Sequence, residues 1–250
     1  LKTEWDYTEL ADAYLQRPDY AESAIDDLVA LAGVKSGDKV CDVGAGVAHL
    51  TLMLAQRGLQ VVAVEPNDAM RGNGIERTRA LANVNWFEGT GEATGQPEHA
   101  YKLVTFGSSF NVTNRPLALK ETQRILEPSG WFACMWNHRD LDDPIQSRIE
   151  AIIREFAPEY GYGTRREDQT DIIDQSGLFK TVHRIEGKVL HHQSIEDCIE
   201  AWRSHATLQR QVGERFAAVV EAIAAYLRGL GVDRIPIPYV TNMWAAQLKD

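Results

Sequence analysis

The run Lys39-Val40-Cys41-Asp42-Val43 leads straight into Gly44-Ala45-Gly46-Val47-Ala48-His49, and the reading of this stretch decides the fold. Its first half is a short apolar strand, and the glycines follow where the chain must turn tightly. A helix is expected from His49 to Arg57, stopped by Gly58. Gln60 to Val64 is a β-branched run, the pattern of a strand buried on both faces. A helix over Asp68 to Ala82, weakened by Gly72 and Gly74, precedes a third strand at Val84 to Phe87. Leu103 to Phe106 and Trp131 to Trp136 read as strands on either side of a helix at Leu117 to Leu126, with a turn at Pro128-Ser129-Gly130. Strand–helix units joined by short connections predict an α/β architecture: a parallel, doubly wound sheet with helices on both faces.

Outward from this core the rhythm changes. Residues 1–20 carry Trp5, Tyr7, Tyr14 and Tyr20, an aromatic-rich segment expected to cap something, and Ala21 to Ala32 has helical spacing with Gly33 as its stop. After residue 143 the chain predicts a helix at Pro144 to Phe156, a strand over Thr181 to His191, and mostly helix from Ser194 to Gly229. A last strand lies within Tyr239 to Leu248. One domain is expected: a cap (1–20), a ligand-binding core (21–143), a helical lid (144–236) and a final strand (237–250).

Composition narrows the function. The 250 residues are 44% hydrophobic and 25% charged, enough for a substantial core. Net charge is −10, from 26 basic and 36 acidic side chains, and no basic footprint for nucleic acid or anionic membrane stands out. No apolar run approaches the ~20 residues of a membrane span; a soluble, cytoplasmic protein is expected. Cys41, Cys134 and Cys198 are too few and too far apart for a disulfide framework or a zinc site.

In an open α/β sheet, ligands bind beyond the carboxyl ends of the strands, so the loop after Val43 is decisive. Asp42, two residues before Gly44, can meet a ligand ammonium directly or through water. Glu65, nineteen residues after Gly46, is placed to accept from both hydroxyls of a ribose. A dinucleotide site is the competing reading. It wants a third small residue three positions after Gly46, and that position is the bulky His49.

The loop Asp42-Val43-Gly44-Ala45-Gly46 resembles motif I of class I S-adenosylmethionine methyltransferases, and the resemblance spans roughly Tyr7 to Asp143. It implies a Rossmann-like, seven-stranded, mostly parallel sheet whose last strand is antiparallel. The implied cofactor is S-adenosyl-L-methionine, held by Asp42, Gly44, Ala45 and Gly46. Glu65 would sit on the ribose, Pro66 and Met70 beside the adenine, and Thr90, Gly91 and Glu92 around the base. Gly107 and Ser108 would close the site. Thr90 stands where the family commonly has Asp, so there only the Gly91 backbone contact carries over. Tyr14 and Arg17 would lie near the methionine end, where a tyrosine face stabilises a cation by ~0.5–2 kcal/mol; alternatively the tyrosines simply pack the extension down.

Methyl transfer needs alignment and exclusion of water more than activation. The candidate catalytic residues are Tyr7, Tyr14, Phe110, Asn111 and His138, with His138 as the base if a hydroxyl is the acceptor. Asp140, Asp142 and Asp143 lack a carboxylate partner on the fourth strand, so no metal is expected. The cap and the Asn137 to Asp143 region are similar to antibiotic-tailoring enzymes of actinomycetes, including lincosamide N-methyltransferases. The expected partner is therefore a small-molecule methyl acceptor, with nitrogen preferred over oxygen. A nucleotide-dependent oxidoreductase and a non-catalytic binding module are the other readings. The aromatic cap is compatible with a homo-oligomer without requiring one.

Overall fold

A computed structural model describes residues 8–203 and 205–249. Seven strands form one sheet in the order β3-β2-β1-β4-β5-β7-β6. They are β1 (Lys39–Val43), β2 (Gln60–Val64), β3 (Val84–Phe87), β4 (Tyr101–Gly107), β5 (Leu126–Arg139), β6 (His183–Ser194) and β7 (Arg234–Gln247). The first five run parallel, with Val40 opposite Val61 and Leu103 opposite Trp131. β7 is antiparallel to both its neighbours, β5 and β6. The expected doubly wound α/β sheet with an antiparallel last strand is what the chain forms.

The helices are α1 (Ala11–Tyr14), α2 (Glu22–Ala32), α3 (His49–Gln56), α4 (Asp68–Thr78), α5 (Arg115–Ile125), α6 (Pro144–Phe156), α7 (Thr170–Gln175), α8 (Ile195–Arg203), α9 (Ala206–Val212) and α10 (Phe216–Gly229). Successive strand residues point to opposite faces, so Leu103 joins Ile25, Leu28 and Leu54 in one core while Val104 joins Ile125, Phe132 and Trp244 in the other. A third core binds the lid together: Ile149 and Ile153 of α6 meet Ile199 and Trp202 of α8 and Ile223 and Leu227 of α10. It also takes in Ile235 and Ile237 of β7.

Several elements depart from their expected bounds, and three of the departures have a local reason. α4 stops at Thr78 rather than Ala82: the Thr78 hydroxyl turns back onto the Gly74 carbonyl at 2.9 Å and accepts the Trp86 indole N–H at 2.8 Å. Gly74 is required there, since a Cβ would stand 2.2 Å from the Trp86 ring. The Pro128–Gly130 turn lies inside β5 as a bulge, because Tyr101 pairs with Leu126 and Leu103 next pairs with Trp131. β7 begins at Arg234, not 237, and holds Pro236 and Pro238. Prolines break ladders in central strands, but β5 pairs with β7 only as far as Tyr239, so both lie where β7 has a ladder on one side only. The 144–236 segment therefore contains β6 and the start of β7 as well as its helices.

Candidate active site

One cavity lies at the carboxyl edge of β1, β2, β4 and β5, bounded by the N-terminal segment and the lid. It begins at the end of β1. The N–H groups of Gly44 and Ala45 both donate to the Val64 carbonyl, at 2.8 and 3.1 Å, folding the loop over β2. Gly44 has φ +68°, and a Cβ on it would stand 2.4 Å from Ser109 Cβ; only glycine fits. Ser109 is held against the loop by its own hydroxyl, which donates to the Val43 carbonyl at 2.6 Å.

Asp42 is 1% exposed. Its carboxylate accepts from Thr51 Oγ1 on α3 at 2.7 Å and Thr105 Oγ1 on β4 at 3.0 Å. Burial outweighs both bonds and pushes its pKa up to about 6. Glu65, 6% exposed, closes β2. One carboxylate oxygen accepts the Gly46 N–H and the other the Asn67 N–H, each at 2.9 Å. Burial raises its pKa too, against the pull of these two N–H groups. Each oxygen keeps a lone pair for a further donor. Asn67 caps α4 by accepting the Met70 N–H at 3.0 Å, which sets Met70 and Pro66 on the wall.

Thr90, Gly91 and Glu92 line the same cavity from the turn after β3, where the Thr90 and Ala93 backbones bond each other. The Glu92 carboxylate accepts the Asn114 N–H at 2.5 Å, fixing this turn to the start of α5. Ala45, Gly107 and Ser108 are also on the wall. Tyr20 bonds Ser108 hydroxyl to hydroxyl at 2.9 Å. Tyr14 and Arg17 face the cavity together, the guanidinium 3.6 Å from the tyrosine ring centroid. The segment that carries them is held by His49, whose Nδ1 meets Asp19 at 2.6 Å and whose Nε2 meets the Tyr14 carbonyl at 2.8 Å. Sequence reasoning used His49 only as an argument against a dinucleotide; its place is the clasp between cap and core.

The catalytic candidates divide. Tyr14 and His138 line the cavity, and Tyr7 lies outside the described residues. Phe110 and Asn111 require correction, because neither reaches the wall. Phe110 is 0% exposed and packs edge-on against Phe106 and Phe132 at 5.4 and 5.3 Å between ring centres. Asn111 accepts the Trp136 indole N–H at 2.9 Å. Both expectations came from chain position after β4, but the turn there buries Phe110 in the sheet core and sets the half-buried Asn111 on the Trp136 indole. Asp143 caps α6 by accepting the Ile145 and Gln146 N–H groups at 3.0 Å.

Residues 41–134 match the model of the family described as a methyltransferase domain. An uncharacterized methyltransferase of Mycobacterium tuberculosis is 34% identical over 125 residues, which cover 50% of this chain and 48% of that protein. A ubiquinone/menaquinone biosynthesis C-methyltransferase of Serratia proteamaculans is 28% identical over 138 residues, covering 52% and 55%. The chain thus spans about half the length of these curated relatives. Among solved structures, a putative type II methyltransferase from Anaeromyxobacter dehalogenans is similar, with a TM-score of 0.65 at 15% identity. That match covers 92% of this chain and 97% of that one, and shows the shared fold.

The match to the methyltransferase family model ends at residue 134, and the far half of the cavity lies beyond it. Asn137 ties β5 to the cap, donating to the Asp19 carbonyl at 2.8 Å and accepting the Thr241 hydroxyl at 2.5 Å. Beyond it, Arg139, Gln146, Glu150, Tyr162, Arg166 and Trp202 line the lid side, with Gln193 and Tyr239 from β6 and β7. Sequence reasoning missed these residues. One signal was available: Gln146 shares a helix face with Ile149 and Ile153, a polar residue in an apolar stripe. Among the described residues, no helix is long and apolar enough to cross a membrane.

Proposed function

We propose that this chain transfers a methyl group from S-adenosylmethionine to a nitrogen of a small molecule held beneath the lid. The supporting observation is the continuity of the cavity, from Asp42, Gly44 and Glu65 at the strand ends to Gln146, Trp202 and Tyr239 in the lid half. The residues present fit the donor. Buried Asp42 is a ready partner for the amino acid ammonium, and would repel a pyrophosphate at the same loop. The spare lone pairs of Glu65 suit ribose hydroxyls, Met70 and Pro66 give an apolar seat for the base, and Arg17 on Tyr14 suits the carboxylate. The donor brings an already activated methyl on a sulfonium. What the chain supplies is orientation: the His49 clasp holds the cap over the loop, and the lid excludes water from the line of transfer.

Nitrogen is the proposed acceptor because a neutral amine attacks without a base at the reacting atom. Small secondary-metabolite amines, of the kind antibiotic-tailoring enzymes methylate, are the class we favour, and a cytoplasmic setting would supply the donor. Oxygen is the second reading, since His138 on the wall can take a hydroxyl proton. Incubation with trideuteromethyl-labelled donor and a panel of amines, phenols and activated carbons, read by mass spectrometry, tests the proposal. Label on amines supports nitrogen; label only on phenols or carbon acceptors overturns it.

A further inference from the structure

The lid half of the cavity carries two positive charges that the protein does not neutralise. Arg139 and Arg166 both line it, joined by a bond from Arg166 Nη2 to the Arg139 carbonyl at 3.3 Å. Each lies over aromatic rings: Arg139 is 4.2 Å from the Trp202 ring centre and 5.7 Å from that of Tyr239, and Arg166 is 3.7 Å from that of Tyr162. The rings restrain the planar forks, and the buried Nε of each arginine has no hydrogen-bond partner. Among the described residues, neither guanidinium has a carboxylate within ion-pair distance. The nearby acids are otherwise engaged. Glu150 is held by Arg154 at 2.9 Å and by the Tyr162 hydroxyl. Asp168 is held by Arg184 at 2.6 Å and Trp244 at 2.8 Å, and Asp140 accepts the Asp142 N–H at 3.1 Å.

A second observation lies on the same wall. Gln146 is 2% exposed, and neither its amide oxygen nor its nitrogen has a hydrogen-bond partner. Gln193, 5% exposed, leaves its amide oxygen unpartnered while its nitrogen donates to the Gln16 carbonyl at 3.2 Å. Buried amides are hydrogen-bonded as a rule, so orphans facing a cavity point to a polar ligand. In a chain of net charge −10, paired arginines without counter-ions beside such amides form a seat for an oxyanion.

We propose that the methyl acceptor carries an oxyanionic group, a carboxylate or a phosphate, bound by the Arg139 and Arg166 forks and hydrogen-bonded by Gln146. This rests on the methyltransferase reading above, and makes the acceptor a zwitterion or anion rather than a simple cationic amine. The test titrates the protein with benzoate, phenyl phosphate and benzamide at fixed ionic strength, with and without saturating S-adenosylhomocysteine. At least one oxyanion should bind roughly tenfold or more tighter than benzamide; the tighter of the two assigns the group. Arg139→Gln and Arg166→Gln should each cut that affinity by roughly tenfold and leave S-adenosylhomocysteine affinity within about twofold. Should either glutamine variant misfold, Arg139→Lys and Arg166→Lys keep the charge and should show a smaller loss. Benzamide binding as well as both anions, or anion binding indifferent to every substitution, overturns the proposal. Failure of S-adenosylhomocysteine to bind the parent protein instead overturns the methyltransferase reading, and the cofactor-free titration still decides this one.

Discussion

Replacing Asp42 with Asn should stabilise the fold and weaken cofactor binding. The carboxyl is buried, and its pKa rises from the ordinary 3.8 to about 6. The folded state therefore disfavours the charged form, by up to about 3 kcal/mol once pH is well above 6. The sign follows from proton counting. Between pH 4 and 6 the folded protein holds a proton on Asp42 that the unfolded chain has released, so stability from this group falls as pH rises through that window and is flat above it. Asn keeps the shape and can still bond Thr51 and Thr105, whose hydroxyls donate or accept. Allowing for weaker bonds to a neutral amide, the gain is about 1–3 kcal/mol at pH 7.5, or about 2–10 °C in Tm for a chain this size. The gap between parent and variant should narrow by about 1 kcal/mol at pH 5. In calorimetry on the same samples, S-adenosylhomocysteine affinity should drop by about tenfold or more, the loss of a charge-assisted bond. A variant less stable than the parent at pH 7.5, or a gap that ignores pH between 5 and 8, would refute the desolvation argument. Undiminished affinity would refute the assigned ammonium contact.

Three further outcomes follow from the same geometry. Glu65→Gln turns an amide NH2 toward either the Gly46 or the Asn67 N–H, so S-adenosylhomocysteine affinity should fall by about 1.5–3 kcal/mol; unchanged affinity by calorimetry removes Glu65 from the site. His49→Ala frees both ends of the clasp on Asp19 and Tyr14. Hydrogen exchange over residues 11–20 should quicken while the strands stay protected, and unchanged protection there contradicts the clasp. Gln146→Leu replaces two unsatisfied buried atoms with an apolar side chain of similar size. Thermal unfolding should show about 1–3 kcal/mol of added stability and acceptor-side binding should weaken, whereas a destabilised variant would mean the amide is satisfied in solution.

The sheet was legible because its central parallel strands are largely buried and apolar, as in the β-branched run Gln60–Val64, and a glycine that the backbone requires follows β1 at Gly44. The acids followed from their distance to that loop. What escaped was whatever depends on partners far along the chain. Phe110 and Asn111 stand where a site residue could stand, and only their partners show otherwise: Phe110 packs on Phe106 and Phe132, and Asn111 is taken up by the Trp136 indole. Pro236 and Pro238 masked the start of β7, because nothing local says that β5 ends opposite Tyr239. Arg139 meets Trp202 and Tyr239 across long sequence separations, with no spacing to announce them. The Gln146 signal was there, in a face otherwise made of isoleucines.

The central claim is that the cavity at the strand ends is an S-adenosylmethionine site. Calorimetric titration of the protein with S-adenosylhomocysteine and, separately, with NADH tests it most directly. Saturable one-to-one binding of S-adenosylhomocysteine, weakening below pH 6 as Asp42 takes up its proton, with no binding of NADH, is the predicted result. Tight NADH binding with no response to S-adenosylhomocysteine would contradict it.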